Sequence, residues 1–195
     1  MDNNFKILQN GNSKLKNMLV YSHTPIKGCL DCSTCFNTCY AVKSYKQYPS
    51  VKKAWDRNLD LARNDISEFI TKTTLELLKT KKTVVRIHSS GDFISQEYVE
   101  AWYLIAREFP NIQFYTYTKS YNRFDFSSLE SLSNVNIILS FIGDKLNYGD
   151  FTHCNDLVTN HGAFLCPSTN RGEGVTCGNG CDYCFTNKNV CFLIH

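Results

Sequence analysis

Long hydrophobic runs are missing from the sequence. Its longest nearly uninterrupted apolar stretch, residues 137–142, is far shorter than the roughly 20 residues that cross a bilayer. The first 20 residues are polar and rich in Asn and Lys, without the apolar centre or small-residue cleavage site of a signal peptide. We therefore expect a cytoplasmic protein that does not associate with membranes.

A strong excess of one charge is also missing. Lys plus Arg total 21 and Asp plus Glu total 18, so the formal net charge is only +3. These charges are spread thinly, and the sequence does not indicate nucleic-acid binding. Repeats and Pro/Gly/Ser linkers are absent, while 43% hydrophobic residues suffice for a core. We interpret residues 1–195 as one domain, with an N-terminal cysteine region (1–48), an α/β core (49–150) and a C-terminal cysteine region (151–195).

Cysteine is absent from residues 40–153, although the chain has ten cysteines in all. Four lie in residues 29–39, five lie in residues 166–191, and Cys154 stands alone. A chain of this size without an export signal does not need a disulfide framework, and a reducing cytosol keeps thiols free. Since clustered free thiolates are metal ligands, we predict metal binding at both groups.

Strand-type and helix-type segments alternate between the cysteine groups. Asp65 and Glu68 resemble a capping box that opens a helix. The predicted helices cover residues 51–64 (capped by Ser50), 65–78, 95–109 and 126–132, and the predicted strands cover residues 83–88, 112–118 and 136–141. This alternation predicts parallel strands. Because a closed barrel needs about 250 residues, we expect an α/β fold with a partial or open (β/α) barrel-like parallel sheet.

Polar side chains follow each predicted strand. His88 ends the first strand and Asp92 lies just beyond it, Lys119 and Ser120 follow the second, and Asp144 follows the third. The carboxyl ends of parallel strands share one edge, where α/β folds place their sites. We therefore predict a small-molecule site with His88, Asp92, Lys119 and Asp144 as candidate catalytic residues, and we expect the N-terminal cysteine loop beside it. Asp92 would take a cation and Lys119 an anion; alternatively, these side chains only cap strands and helices.

The front cysteine group has the spacing C-x2-C-x2-C-x3-C. Its members are Cys29, Cys32, Cys35 and Cys39. One loop of this kind can wrap an iron–sulfur core, as in bacterial ferredoxins, although Tyr40 replaces their proline. Zinc prefers two knuckles separated by a longer spacer. The spacing therefore favours a 4Fe–4S cluster, with zinc as the alternative.

The rear cysteine group has the spacing C-x10-C-x3-C-x2-C. Its members are Cys166, Cys177, Cys181 and Cys184. The Gly-rich backbone can bend around a cluster, but a four-cysteine zinc site competes closely with iron–sulfur here. Cys191 lies in an apolar stretch and is predicted to be a buried thiol, and Cys154 is predicted to be structural.

At these segments the sequence resembles the phage and mobile-element family known as gene product 88, over nearly its whole length. The matching segments include residues 48–58, 85–93, 95–102, 114–120, 166–167, 177–184 and 192–195. The resemblance implies front ligands at Cys29, Cys35 and Cys39 and rear ligands at all four cysteines of that group. Cys32 is additional to the family pattern, and the step from Cys177 to Cys181 is one residue longer than in it. A phage protein would lie in the host cytoplasm.

The turn Ser90-Gly91-Asp92 resembles the glycine-acidic turn of radical S-adenosylmethionine enzymes, which implies a cofactor-binding role for Ser90, Gly91 and Asp92. Those enzymes use C-x3-C-x2-C, whereas Cys35-x3-Cys39 is followed by no such third cysteine. Three functions stay open. They are an enzyme of redox or radical type with one or two clusters and a small-molecule ligand, an electron-transfer module with an unknown partner, and a zinc-stabilised protein that binds macromolecules.

Overall fold

The computed structural model describes residues 5–30, 39–140, 148–149, 164–167, 175–177, 180–186 and 190–193. Its strands are β1 (Gln9–Asn10), β2 (Leu19–Val20), β3 (Val84–Ile87), β4 (Gln113–Thr118), β5 (Val135–Leu139), β6 (Tyr148–Gly149), β7 (Phe164–Leu165), β8 (Thr176–Cys177), β9 (Gly180–Cys181) and β10 (Val190–Leu193). Its helices are α1 (Tyr40–Gln47), α2 (Pro49–Asn64), α3 (Ile66–Leu78), α4 (Gln96–Glu108), α5 (Ser127–Glu130) and α6 (Tyr183–Thr186). Within this part of the chain, no helix is long and apolar enough to cross a membrane.

A five-stranded sheet in the order β1-β2-β3-β4-β5 forms the centre of the fold. Strands β2 to β5 are parallel, and only the edge pair β1–β2 is antiparallel. The predicted parallel order of the three core strands is therefore confirmed. The barrel-like part of the expectation is not supported, because the described strands form an open sheet whose first member is an antiparallel edge strand, with no closed barrel among them.

Two of the predicted helix starts are confirmed by their caps. The Asp65 side chain accepts from the Glu68 N–H at 3.0 Å and opens α3, while the Ser95 side chain accepts from the Tyr98 N–H at 3.1 Å and opens α4. Each bond satisfies an amide that has no partner within the helix. The helix that was expected to follow a Ser50 cap instead begins at Pro49, since proline fits the first helical position.

The sheet is covered on both faces. On one, the helix face, α2 to α5 bury alternate strand residues such as Val85, Phe114 and Ile137. The opposite face, which we name the thiol face, presents the intervening residues, including Tyr115 and Ile138. This division follows from the two-residue period of strands, which sends successive side chains to opposite faces.

The C-terminal region covers the thiol face. Strands β6, β10 and β7 form a small parallel sheet, and β8 pairs with β9. The Gln113 side chain donates to the Phe185 carbonyl at 2.8 Å, and the Asn136 side chain donates to the Cys184 carbonyl at 3.0 Å. These bonds fix α6 against β4 and β5, and with it the last cysteine of the rear group.

Candidate metal centre and strand-end cluster

The four rear cysteines, which we call the rear thiols, gather at the thiol face. Cys166 and Cys184 are each 5% exposed and pack in one cluster with Tyr115, and Cys177 lies against that cluster. Cys181 is the register partner of Cys177 between β8 and β9. Burial raises the pKa of Cys184, and the neighbouring Cys177, Cys166 and Cys181 raise it further. Residues distant in sequence thus bring four soft donors together.

Two side chains from the sheet lie beside these sulfurs. Burial raises the pKa of the Cys184 thiol to about 12, and a hydrogen bond from the Tyr117 hydroxyl opposes that rise. Burial and Cys166 also raise the pKa of Cys177, against the opposing positive charge of Arg86. Sequence reasoning missed Arg86 and Tyr117, although their places in β3 and β4 put both on the face opposite Val85 and Phe114.

The described cysteines are in two chemical states. The front Cys29 and Cys39 and the rear thiols are free, as predicted, whereas Cys191 is fully buried but disulfide-bonded, which corrects the prediction of a buried thiol. Within the described ranges, no set of three or more Cys, His, Asp or Glu side chains has the arrangement of a metal site. The rear thiols are therefore neighbours but not a formed tetrahedral centre. Cys32, Cys35 and Cys154 lie outside those ranges.

The segment that leads to Cys29, residues 22–30 (the front loop), is attached to the end of β3. The His23 N–H donates to the Ser90 carbonyl at 3.1 Å, and the Asp92 N–H donates to the Gly28 carbonyl at 2.9 Å. A Cβ at Gly28, or at Gly91 with its φ of +89°, would approach the His23 ring to 2.2 Å. Glycine is therefore required where the loop meets the strand end, and the front loop lies beside the strand ends; residues 31–38 of the cysteine loop lie outside the described ranges.

Asp92 is bound on both carboxylate oxygens. Its Oδ1 accepts from the Phe93 N–H at 2.8 Å and the Thr118 hydroxyl at 2.6 Å, and its Oδ2 accepts from the Lys119 N–H at 2.8 Å. The residue is 7% exposed, and burial raises its pKa against those hydrogen bonds and the charge of Lys119. Asp92 thereby joins the end of β4 to the turn after β3, a structural role that leaves little of the carboxylate for a ligand.

His88 lies inside the helix-face core rather than on an open rim. It is 3% exposed, its backbone is left-handed at φ +61°, and its Nε2 lies 3.0 Å from the Tyr98 hydroxyl. Its ring centroid is 5.1 Å from that of His23, and burial lowers the pKa of both rings. The Nδ1 atom of His88 has no hydrogen-bond partner among the described residues. Both imidazoles are therefore neutral at pH 7.

The other predicted strand-end residues differ in position. The Ser90 hydroxyl is buried and donates to the His23 carbonyl at 2.9 Å, while Lys119 is half-buried. The structure thus brings Ser90, Asp92 and Lys119 together around the ends of β3 and β4. Asp144 lies outside the described residues, and the roles predicted for this cluster stay predictions.

Known proteins resemble this chain over most of its length. The family model for gene product 88 matches residues 2–188. The gene 88 protein of Mycobacterium phage D29 is 29% identical over 126 residues, covering 60% of this chain and 52% of that protein. The gene 88 protein of Mycobacterium phage L5 is 27% identical over 187 residues, covering 81% of this chain and 78% of that protein. The chain thus spans about half the length of the D29 relative. No solved structure matches significantly.

Proposed function

This chain belongs to the gene product 88 family, and we propose that it is a metal-cluster protein whose rear thiols bind an iron–sulfur cluster against the thiol face of the sheet. The observation that carries the proposal is that three free thiols, Cys166, Cys177 and Cys184, from separate segments share one cluster at the thiol face, and that Cys181 pairs in register with Cys177. Four neighbouring free thiols supply the soft sulfur donors that iron–sulfur clusters and zinc prefer.

The chemistry of the surroundings fits an anionic metal group. Four thiolates around an iron–sulfur core or a zinc ion leave a net negative charge, and Arg86 supplies a nearby positive charge. The Tyr117 hydroxyl donates a hydrogen bond to the Cys184 sulfur, which is the kind of contact that orients and tunes metal ligands. Ligation requires the sulfurs to move closer than they now lie, and Gly180, with its φ of +93°, gives the backbone before Cys181 the conformational freedom to adjust.

Each part of the chain has a defined task in this proposal. Cys166 and Cys184 are buried, so they form the side of the site that is closed to water, whereas Cys177 and Cys181 lie nearer the surface. An iron–sulfur cluster bound there supplies one-electron redox chemistry. The front cysteines extend the proposal to a second cluster, formed by Cys29 and Cys39 together with the two cysteines between them, close to the strand-end cluster where a small molecule would bind.

Anaerobic purification followed by iron, sulfide and zinc analysis of one sample tests the proposal. We expect iron and sulfide in stoichiometric amounts, and we expect Cys184→Ser or Cys177→Ser to remove about one cluster's share. Replacing Cys29 or Cys39 removes the front share independently. Cys154→Ser serves as the control, because that cysteine belongs to neither group and metal content should not change.

Two outcomes would redirect the assignment. Stoichiometric zinc without sulfide identifies a structural tetrathiolate zinc site, for which the register pairing of Cys177 and Cys181 on adjacent short strands is also suitable. Full metal content in Cys184→Ser and Cys177→Ser removes the rear thiols from metal binding altogether and leaves them as small apolar core residues.

A further inference from the structure

We propose that residues 40–57, which we call the basic corner, form a binding surface for single-stranded nucleic acid. The segment comprises α1 and the first half of α2. It contains five basic residues and one acidic residue, so its net charge of +4 exceeds the +3 of the whole chain. The other residues together carry a net charge of −1, which is why the overall composition does not indicate such a partner. This inference goes beyond the metal site and does not depend on it.

Four lysines of the basic corner are exposed. They are Lys43, Lys46, Lys52 and Lys53. Lys43 and Lys46 lie three residues apart on α1, so they share one side of that helix. Lys52 of α2 lies over the ring of Tyr45 of α1, 4.9 Å from its centre, and brings charge of the second helix to the first. The phosphates of a nucleic-acid backbone are anions that such a group of lysines attracts.

The one carboxylate of the basic corner is already used by the fold. Asp56 accepts a hydrogen bond from the Lys52 ammonium at 2.6 Å and from the Tyr45 hydroxyl at 2.5 Å. The Thr24 hydroxyl donates to the same carboxylate at 2.7 Å, and Tyr45 stacks on Trp55 with ring centroids 6.4 Å apart. These contacts fix α1 against α2. No salt bridge among the described residues uses another lysine of the corner, so the charge of those lysines is available to a partner.

Two tyrosines add exposed rings to these charges. Tyr40 is 60% exposed and Tyr48 is 50% exposed. The Tyr40 hydroxyl donates to the Ser89 carbonyl, which holds that ring at the start of α1. Tyr48 is the single residue between α1 and α2, so it lies where the two helices join. Aromatic rings beside cations are the surface on which unpaired bases stack, and this stacking tolerates any base.

The combination of charge and rings favours a single strand over other anionic partners. The bases of a duplex are stacked on one another and are not free to stack on a tyrosine ring. A helix that binds an anionic membrane needs a free apolar face opposite its lysines. The inward face of α1 is occupied, because Ala41 is buried and Tyr45 packs on Trp55. The basic corner thus offers phosphates and bases a surface, but it offers lipid no apolar side.

Fluorescence anisotropy with a labelled single-stranded oligothymidylate tests the inference on the full-length protein. We expect the double variant Lys43→Gln with Lys46→Gln to weaken binding. For single strands the logarithm of the affinity falls with the logarithm of the salt concentration by about 0.7 per phosphate contact, so this variant should make the slope shallower by about 1.4. Tyr48→Leu should weaken binding about 10-fold at an unchanged slope, whereas Tyr48→Phe should keep the wild-type affinity because it keeps the ring.

The chain offers a matched control in the double variant Lys79→Gln with Lys81→Gln. These two exposed lysines lie just after α3, in a second group of lysines that has no exposed tyrosine beside it in the sequence. The control removes the same charge from the chain but leaves the basic corner intact. Its affinity and salt slope should match those of the wild type, and circular dichroism confirms that each variant folds.

Four outcomes would overturn the inference. The first is an oligothymidylate that does not bind at low salt. The second is equal weakening by the two double variants, because net charge and not the basic corner would then attract the strand. The third is polyaspartate binding as tightly as the oligothymidylate, with Tyr48→Leu at wild-type affinity, which would indicate an acidic polypeptide as the partner. The fourth is tighter binding to phosphatidylserine vesicles, which would indicate a membrane surface. Metal content is measured separately, so none of these results decides the proposed function.

Discussion

Replacing Asp92 by Asn tests whether this buried carboxylate holds the ends of β3 and β4 together. Oδ1 receives two donors and Oδ2 receives one, the Lys119 N–H at 2.8 Å. An asparagine side chain keeps the shape and one oxygen. In its better orientation the oxygen serves Phe93 and Thr118, so the new NH₂ group faces the N–H of Lys119, and two donors oppose each other.

The magnitude follows from the lost partner. A hydrogen bond to a charged group contributes about 1.5–3 kcal/mol, and a buried donor left without a partner costs about 1–3 kcal/mol. Burial raises the pKa of Asp92, so the charged carboxylate is itself partly disfavoured, and this offsets some of the stability that its hydrogen bonds contribute. We therefore expect Asp92→Asn to lower the free energy of unfolding by about 2–3 kcal/mol, which corresponds to a Tm lower by about 4–12 °C for a chain of this size.

Urea unfolding of Asp92→Asn measures the loss in free energy of unfolding, and Asp125→Asn serves as the control. Asp125 is an exposed aspartate that accepts from the Ser127 N–H at 2.9 Å before α5, so it loses a comparable bond in water. We expect that control to lose less than about 1 kcal/mol. An Asp92→Asn protein within about 0.5 kcal/mol of wild type would refute the structural role and make the carboxylate a candidate ligand group again.

Three further predictions concern the front loop and its supports. Gly91→Ala should destabilise the fold more than Gly180→Ala in urea unfolding, because both glycines have positive φ but only the Gly91 methyl would meet the His23 ring at 2.2 Å, and equal losses would contradict that packing. Burial lowers the pKa of His23 to about 4 and also lowers that of His88, so neither ring should titrate by NMR between about pH 8 and 5.5. The free energy of unfolding should rise with pH from about 4 to 6.5, because the unfolded chain binds the extra proton in that range. A histidine with a midpoint near pH 6.5, assigned to either residue by substitution, would contradict this. Burial raises the pKa of Asp56, but the hydrogen bonds to its carboxylate dominate and hold the pKa at about 2. The difference in free energy of unfolding between wild type and Asp56→Asn should therefore narrow as pH falls from about 4 towards 2. A difference that stays constant over this range would count against these bonds.

The parallel core could be predicted because its signals are local. Asp65 and Ser95 cap their helices with their own side chains, and the strands between them carry β-branched and aromatic residues in short runs. Strands β1 and β2 were missed because two residues each are too few to show a period. Leu78 is apolar but 67% exposed, because it is the last residue of α3 and extends past the packed part of the helix.

The candidate site was only partly predictable. Cysteine spacing is visible in the chain, so the rear thiols could be grouped from the sequence alone. The hydrogen bonds of Asp92 to two backbone amides could not be predicted, because one of these amides belongs to Lys119, 27 residues away. Arg86 and Tyr117 face the thiols only because the C-terminal region covers that side of the sheet, and no pattern within β3 or β4 indicates which side that region will choose.

The order in which the two covers of the sheet are made has a consequence for synthesis on the ribosome. The helices of one face lie between the strands in the chain, so that half is complete when β5 emerges. On the opposite face, Val20, Tyr115 and Ile138 pack against residues near the far end of the described chain, namely Cys166, Cys184, Phe185 and Val190. Until those residues are translated, the nascent protein lacks these packing partners of the sheet's second face. A message truncated before residue 164 should therefore give a helix-bearing product that self-associates.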